Sequence, residues 1–130
     1  MLVTIDTSAL IAVIGNETSK IRLVTATQGA HLVAPLSVHW EIGNAFSAMF
    51  KRRAISLNQA EMALESYKSI SIRFIDVQLE RTLLICQRHG IYAYDAYLLQ
   101  CAEQTNSRLL TLDNALKQVA GDMGIPLLEY

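Results

Sequence analysis

Met1-Leu2-Val3-Thr4-Ile5-Asp6-Thr7-Ser8 opens the chain and governs how the rest is read. Leu2 to Ile5 is a short apolar, β-branched run, the pattern of a buried strand. Asp6 ends it, and Thr7-Ser8 leads into Ala9-Leu10-Ile11-Ala12, which reads as a helix. An acid at such a junction has two roles open to it. It caps the helix by accepting hydrogen bonds from free first-turn amides. Or it is a metal ligand at the carboxyl end of a central strand, where open parallel sheets place their sites. Caps are common, so Asp6 alone decides nothing. What matters is whether other acids join it.

Outward from this stretch, strand and helix patterns alternate. The first helix spans 7–14 and breaks at Gly15-Asn16. Residues 17–27 read as a second helix, stopped near Gly29, and 31–34 as strand two, with Pro35 marking a turn. Ser37 is placed to cap a long helix. Val38, Ile42, Ala45, Phe46, Met49 and Phe50 give that helix an apolar stripe, and Lys51-Arg52-Arg53 closes it at the end that favours cations. Residues 57–69 form an amphipathic helix and 71–75 strand three. Asp76 caps a helix over 77–88 that His89-Gly90 terminates. Residues 95–103 are helical again and 108–112 are strand four. Asp113 precedes a helix to about residue 120, and 127–128 is a last short strand. This order predicts an α/β fold: a three-layer α/β/α sandwich around a central parallel sheet of about five strands. The length suits one domain over residues 1–130.

Composition narrows the function classes. Hydrophobic residues make up 52% and charged residues 18%, which excludes a disordered tail. The formal net charge is −1, so any contact with nucleic acid must use a local patch rather than a global positive field. Cys86 and Cys101 sit in apolar helical patterns without CxxC or a His at ligand spacing, and read as reduced core residues. The longest apolar window, 9–14, is too short to cross a membrane, and no basic segment precedes it as in a signal peptide. The expectation is a cytoplasmic protein.

Parallel strands point one way, so their carboxyl ends share one edge. Connectivity therefore gathers acids. Asp6 follows strand one, Glu41 lies early in the helix after strand two, and Asp113 follows strand four. Asp95 precedes Leu98, Leu99 and Ala102 by three, four and seven residues, which puts it on the buried side of its helix. Four crowded carboxylates stay ionised only if a cation neutralises them. Hard Mg²⁺ or Mn²⁺ suits oxygen ligands. Asp6, Asp95 and Asp113 each have a capping role as the alternative. Glu41 has none, because it falls inside its helix, and the third position after Ser37 is Trp40, which makes no capping box. Asp76, after a strand placed at the sheet edge, is left as a cap.

These residues carry a family resemblance. Asp6-Thr7-Ser8, Glu41-Ile42-Gly43-Asn44-Ala45, Tyr94-Asp95-Ala96-Tyr97 and Leu110-Thr111-Leu112-Asp113, in this order over essentially the whole chain, resemble the PIN domain, specifically the VapC-like toxin group. The resemblance implies a metal-dependent ribonuclease with Asp6, Glu41, Asp95 and Asp113 as its acidic quartet. Asn44 matches the Asn three residues after the family's Glu, and sits on the same helical face. Thr7, Ser8 and Thr111 match hydroxyls near the family's site, with ordinary capping as their alternative. The resemblance also implies a cognate antitoxin and a homodimer.

The residue types suit phosphodiester hydrolysis, in which divalent ions activate water and stabilise developing charge. No Ser-His-Asp or Cys-His constellation offers a covalent route. RNA must still approach an acidic site. Arg52, eleven residues beyond Glu41 and about 16 Å along the helix, is a candidate to hold the RNA backbone with Lys51 and Arg53. The alternative for all three is a favourably charged helix end. His31, His39 and His89 lack mutual metal spacing. A haloacid-dehalogenase-like phosphatase needs a second acid two residues after the first, where Ser8 stands. A receiver domain needs an acid pair near its start, and a dinucleotide fold needs GxGxxG; both are absent. A non-catalytic PIN-like module that binds RNA or protein, and a PIN nuclease of RNA maturation or decay, remain as alternatives.

Overall fold

Every strand of the computed structural model, which covers residues 1–130, runs in the same direction. The elements follow as β1 (Leu2–Ile5), α1 (Thr7–Ile14), α2 (Lys20–Ala26), β2 (His31–Pro35), α3 (Ser37–Lys51) and α4 (Leu57–Ser69). Then come β3 (Ile72–Ile75), α5 (Leu79–His89), α6 (Ala93–Thr105), β4 (Arg108–Leu110) and α7 (Asn114–Asp122). The sheet order is β3-β2-β1-β4. The opening stretch thus forms a central strand, with β2 on one side and β4 on the other. Thr4 pairs with Val33 and Leu109, and Ile5 with Leu110.

Helices cover both faces of the sheet. Consecutive residues of β1 point to opposite faces, yet Val3, Thr4 and Ile5 are all buried. Thr4 is polar, and its hydroxyl is satisfied inside the core. It shares a 2.7 Å hydrogen bond with Ser107 Oγ and lies 3.6 Å from Cys101 Sγ. α6 packs on β1, β2 and β4, while α1, α3 and α4 pack together. Leu99 and Ala96 of α6 are fully enclosed. Both cysteines are free. Burial pushes the Cys101 thiol up to about 11, which keeps it protonated and inert.

The predicted three-layer α/β arrangement holds, with local differences that have physical causes. The sheet has four strands, not about five. Leu127 makes only an isolated bridge to Leu109, since Pro126 has no N–H to extend the ladder. α2 begins at Lys20 because Asn16 turns left-handed and the Glu17 amide closes back on Ala12 O. Pro35 belongs to β2 and pairs with Ile75. Ser37 is not a cap: the cap position is Leu36, without a side-chain bond, and Ser37 Oγ is buried without a partner. Asp76 is not a cap either. Gln100 Oε1 accepts from the Gln78 amide, and Gln104 Nε2 donates to Asp76 O, which delays α5 to Leu79. β3 does lie at the sheet edge, as expected. Phe50, placed on the apolar stripe of α3, is exposed.

Leu99→Ala, which empties a fully enclosed site where α6 meets the sheet, should cost about 3 kcal/mol. Urea unfolding measures it as a lower midpoint with an unchanged slope.

Candidate active site

The register of β1 against β4 sets Asp6 beside Thr111 at the carboxyl edge of the sheet. β1 leads to β2 on one side and borders β4 on the other, so this edge is a topological switch point, where parallel sheets open a crevice. Asp6 is only 4% exposed. Its Oδ1 accepts from the Ala9 amide at 3.0 Å and from Ser8 Oγ at 2.7 Å, and its Oδ2 accepts from Thr111 Oγ1. The two hydroxyls are themselves anchored, Ser8 across the crevice and Thr111 within its own segment. Ser8 Oγ accepts from the Leu112 amide, and Thr111 Oγ1 from the Asp113 amide, each at 3.0 Å. Asp6 therefore both caps α1 and stands in the crevice.

The other three acids lie at the same edge, Glu41 and Asp113 interacting by charge with Asp6, and Asp95 with both of them. Glu41 lies in the second turn of α3, half-buried, and its Oε2 accepts from Thr7 Oγ1 at 3.3 Å. Asp95 is the third residue of α6, so it does not cap that helix, and no hydrogen bond or cation neutralises it. Asp113 caps α7 through Oδ1, which accepts from the Ala115 and Leu116 amides. Thr7, Ser8 and Thr111 are more than capping hydroxyls: each donates to Asp6 or Glu41. Asn44 is exposed and makes no side-chain bond to Glu41. Lys51, Arg52 and Arg53 are all exposed at the far end of α3.

Electrostatics tie the four carboxylates into a ring. Burial raises the Asp6 pKa, against the hydrogen bonds of Thr111, Ser8 and Ala9, and the charge of Asp113 adds to the rise. Burial likewise raises Glu41, opposed by Thr7 and reinforced by Asp6 and Asp95. Asp95 is raised by burial and then by Asp113. No cation relieves them, for the one ion pair in the molecule is Arg81–Glu103, elsewhere on the surface.

A model of the PIN domain family matches residues 3–122. The chain belongs to the PIN domain family. No curated protein sequence matches it. Among solved structures, the fold is similar to PAE2754 from Pyrobaculum aerophilum, at 20% identity and a TM-score of 0.67, over 92% of this chain and 87% of that one. It is similar to VapBC2 from Rickettsia felis, solved bound to a DNA fragment from their promoter, at 16% identity and 0.68, over 98% and 97%. FitAcB from Neisseria gonorrhoeae matches at 15% identity and 0.59, over 98% and 96%.

The donor set of this PIN domain fits a hard divalent cation. No three acidic or imidazole side chains form a ready-made cage. Mg²⁺, however, binds through one or two carboxylates and keeps several waters. Oxygens for that purpose are uncommitted: both of Asp95, Oε1 of Glu41 and Oδ2 of Asp113 accept no hydrogen bond. All donors are oxygens, and the local charge is uncompensated.

Glu41→Gln should reveal that excess charge. The folded-state pKa of Glu41 is raised, so its contribution to stability is present below the ordinary carboxylate range and lost as pH rises through the folded value. Glutamine keeps the bulk and the acceptor for Thr7 but never ionises. In EDTA, the variant should melt with wild type near about pH 4 and a few degrees above it at neutral pH, a modest gain because water screens the half-exposed group. Thermal melts across that range test this, and identical curves at every pH would contradict it.

Proposed function

We propose that this PIN domain is a metal-dependent endoribonuclease, the VapC-like toxin of a toxin–antitoxin pair. The observation that carries the proposal is the ring of four carboxylates at the switch point, drawn from four separate elements and left without any protein cation. The sequence resemblance to the VapC-like group and the similarity of fold to VapBC2 and FitAcB support the toxin assignment. The same reading includes a cognate antitoxin and a homodimer as partners.

Asp6, Glu41, Asp95 and Asp113 are the residues that would hold Mg²⁺ or Mn²⁺. A bound ion would supply an activated water and stabilisation of the charge that builds on the phosphate oxygens. The chain's own contribution is orientation. Three donors fix Asp6 in one rotamer, and Thr7 steers Glu41 toward it. Such outer hydrogen bonds hold ligands in place and are worth about 10- to 100-fold in affinity or activity. Ser8 and Thr111 couple Asp6 to the backbone at Leu112 and Asp113, which ties the end of β1 to the segment after β4. No helix is long and apolar enough to cross a membrane.

Purified protein should cut a pool of structured RNAs in Mg²⁺ or Mn²⁺ and not in EDTA. Asp95→Asn, which disturbs no hydrogen bond, and Asp6→Asn should each lose about 100-fold or more of the rate. Thr111→Val should lose about tenfold or more by freeing Asp6. Cutting that survives EDTA and both Asp variants would overturn the mechanism.

A further inference from the structure

A second charged cluster lies beside the carboxylates and has the opposite sign. A cleft of about 410 Å³ is lined by Arg22, Thr111, Lys117, Glu129 and Tyr130, among others. Thr111 is the residue that donates to Asp6, so this cleft adjoins the candidate active site. Arg22 comes from α2, Lys117 from α7 and Tyr130 from the segment beyond the Leu127 bridge. Three separate parts of the chain converge here.

The two cations share one ring. Arg22 Cζ stands 5.4 Å from the Tyr130 centroid and Lys117 Nζ 5.0 Å. Lys117 Nζ also donates to Tyr130 Oη at 3.2 Å. The ring face attracts each cation and fixes its place, but it does not neutralise the charge. Neither cation forms an ion pair, although Glu129 also lines the cleft. Lys117 is four residues beyond Asp113 on α7, the spacing of a helical ion pair. It makes no such pair, and its ammonium is held by Tyr130 instead. Tyr130 thus keeps a cation off the acidic ring and available to a ligand.

We propose that Arg22 and Lys117, positioned by Tyr130, form a phosphate clamp that seats the backbone of an RNA strand next to the four carboxylates. The inference rests on the ribonuclease reading above. An acidic site must overcome its repulsion of a polyanion, and two unpaired cations on the adjoining wall do so locally although the chain's net charge is −1. Phosphate contacts of this kind set register and carry no sequence preference. Arg22 offers a planar fork for two phosphate oxygens, and Lys117 a point charge. Tyr130 is a positioning residue that acts through both.

The test is fluorescence anisotropy with a short labelled single-stranded RNA in EDTA, over a series of KCl concentrations, with Mg²⁺-dependent cleavage measured in parallel. Arg22→Gln and Lys117→Gln should each weaken binding about three- to tenfold and flatten the slope of log K against log salt by about 0.7. Tyr130→Ala removes no charge, so it should weaken binding while changing the slope little. Lys68→Gln, on the exposed end of α4, should change neither. Thermal melts establish that each variant is folded. Wild type that binds or cuts RNA, with Arg22→Gln and Lys117→Gln folded and unchanged in affinity and slope, would overturn the clamp and leave the nuclease standing. Wild type that neither binds nor cuts RNA would overturn the nuclease reading, and the clamp with it.

Discussion

The buried carboxylate of Asp6 is the constraint around which the rest of the structure is arranged. A charge this enclosed is costly unless hydrogen-bonded. The chain satisfies it with an amide from the helix it caps and hydroxyls from Ser8 and Thr111. Those bonds fix more than one side chain. Through Thr111 and Ser8 they bind the end of β1 to the backbone that follows β4, the place where the sheet order reverses. Remaining carboxylates are then brought to the same edge by α3, α6 and the start of α7. Donors soften the burial of Asp6, but they do not cancel the mutual repulsion of four acids. The fold holds an excess of negative charge that no side-chain cation of the protein relieves.

Charge separation is the second theme. Every acid of the ring lacks a protein cation, and on the adjoining wall Arg22 and Lys117 lack a protein anion. The acids repel one another, and the two cations are held by Tyr130 rather than by a carboxylate. A protein optimised only to fold would let Lys117 reach Asp113 across a single helical turn. On the proposed function, the two halves of the surface serve different parts of one reaction, a metal-seeking centre and a backbone-seeking flank. Polar groups that stabilise the core, such as Thr4 with Ser107, are fully satisfied in contrast.

Much of this was legible in the sequence, for identifiable reasons. β1 and α1 match their expected bounds because apolar patterning changes sharply at Asp6. Connectivity alone places Asp6, Glu41 and Asp113 on one edge, since parallel strands share it, and helical spacing adds Asp95. Capping was harder to read. Ser37 and Asp76 have the chemistry of caps, yet Leu36 occupies one cap position, and glutamines of α6 take over the backbone that Asp76 was expected to serve. Asp95 has the chemistry of a cap too, yet it sits two residues inside its helix. Thr111 gives no local sign of its role, because its partner is Asp6, more than a hundred positions away. Arg22, Lys117 and Tyr130 carry no local signal at all. They meet only because the segment after Pro126 returns alongside β4.

The central claim is that Asp6, Glu41, Asp95 and Asp113 act as one cation-binding unit. Calorimetric titration of the purified, metal-stripped protein with Mn²⁺ tests it most directly, comparing wild type with Glu41→Gln, Asp95→Asn and Asp113→Asn. The expected result is saturable binding, competed by Mg²⁺ and weakened by about tenfold or more in every variant, with melts showing that all remain folded. Wild type that binds no Mn²⁺, or binding indifferent to all three substitutions, would contradict it.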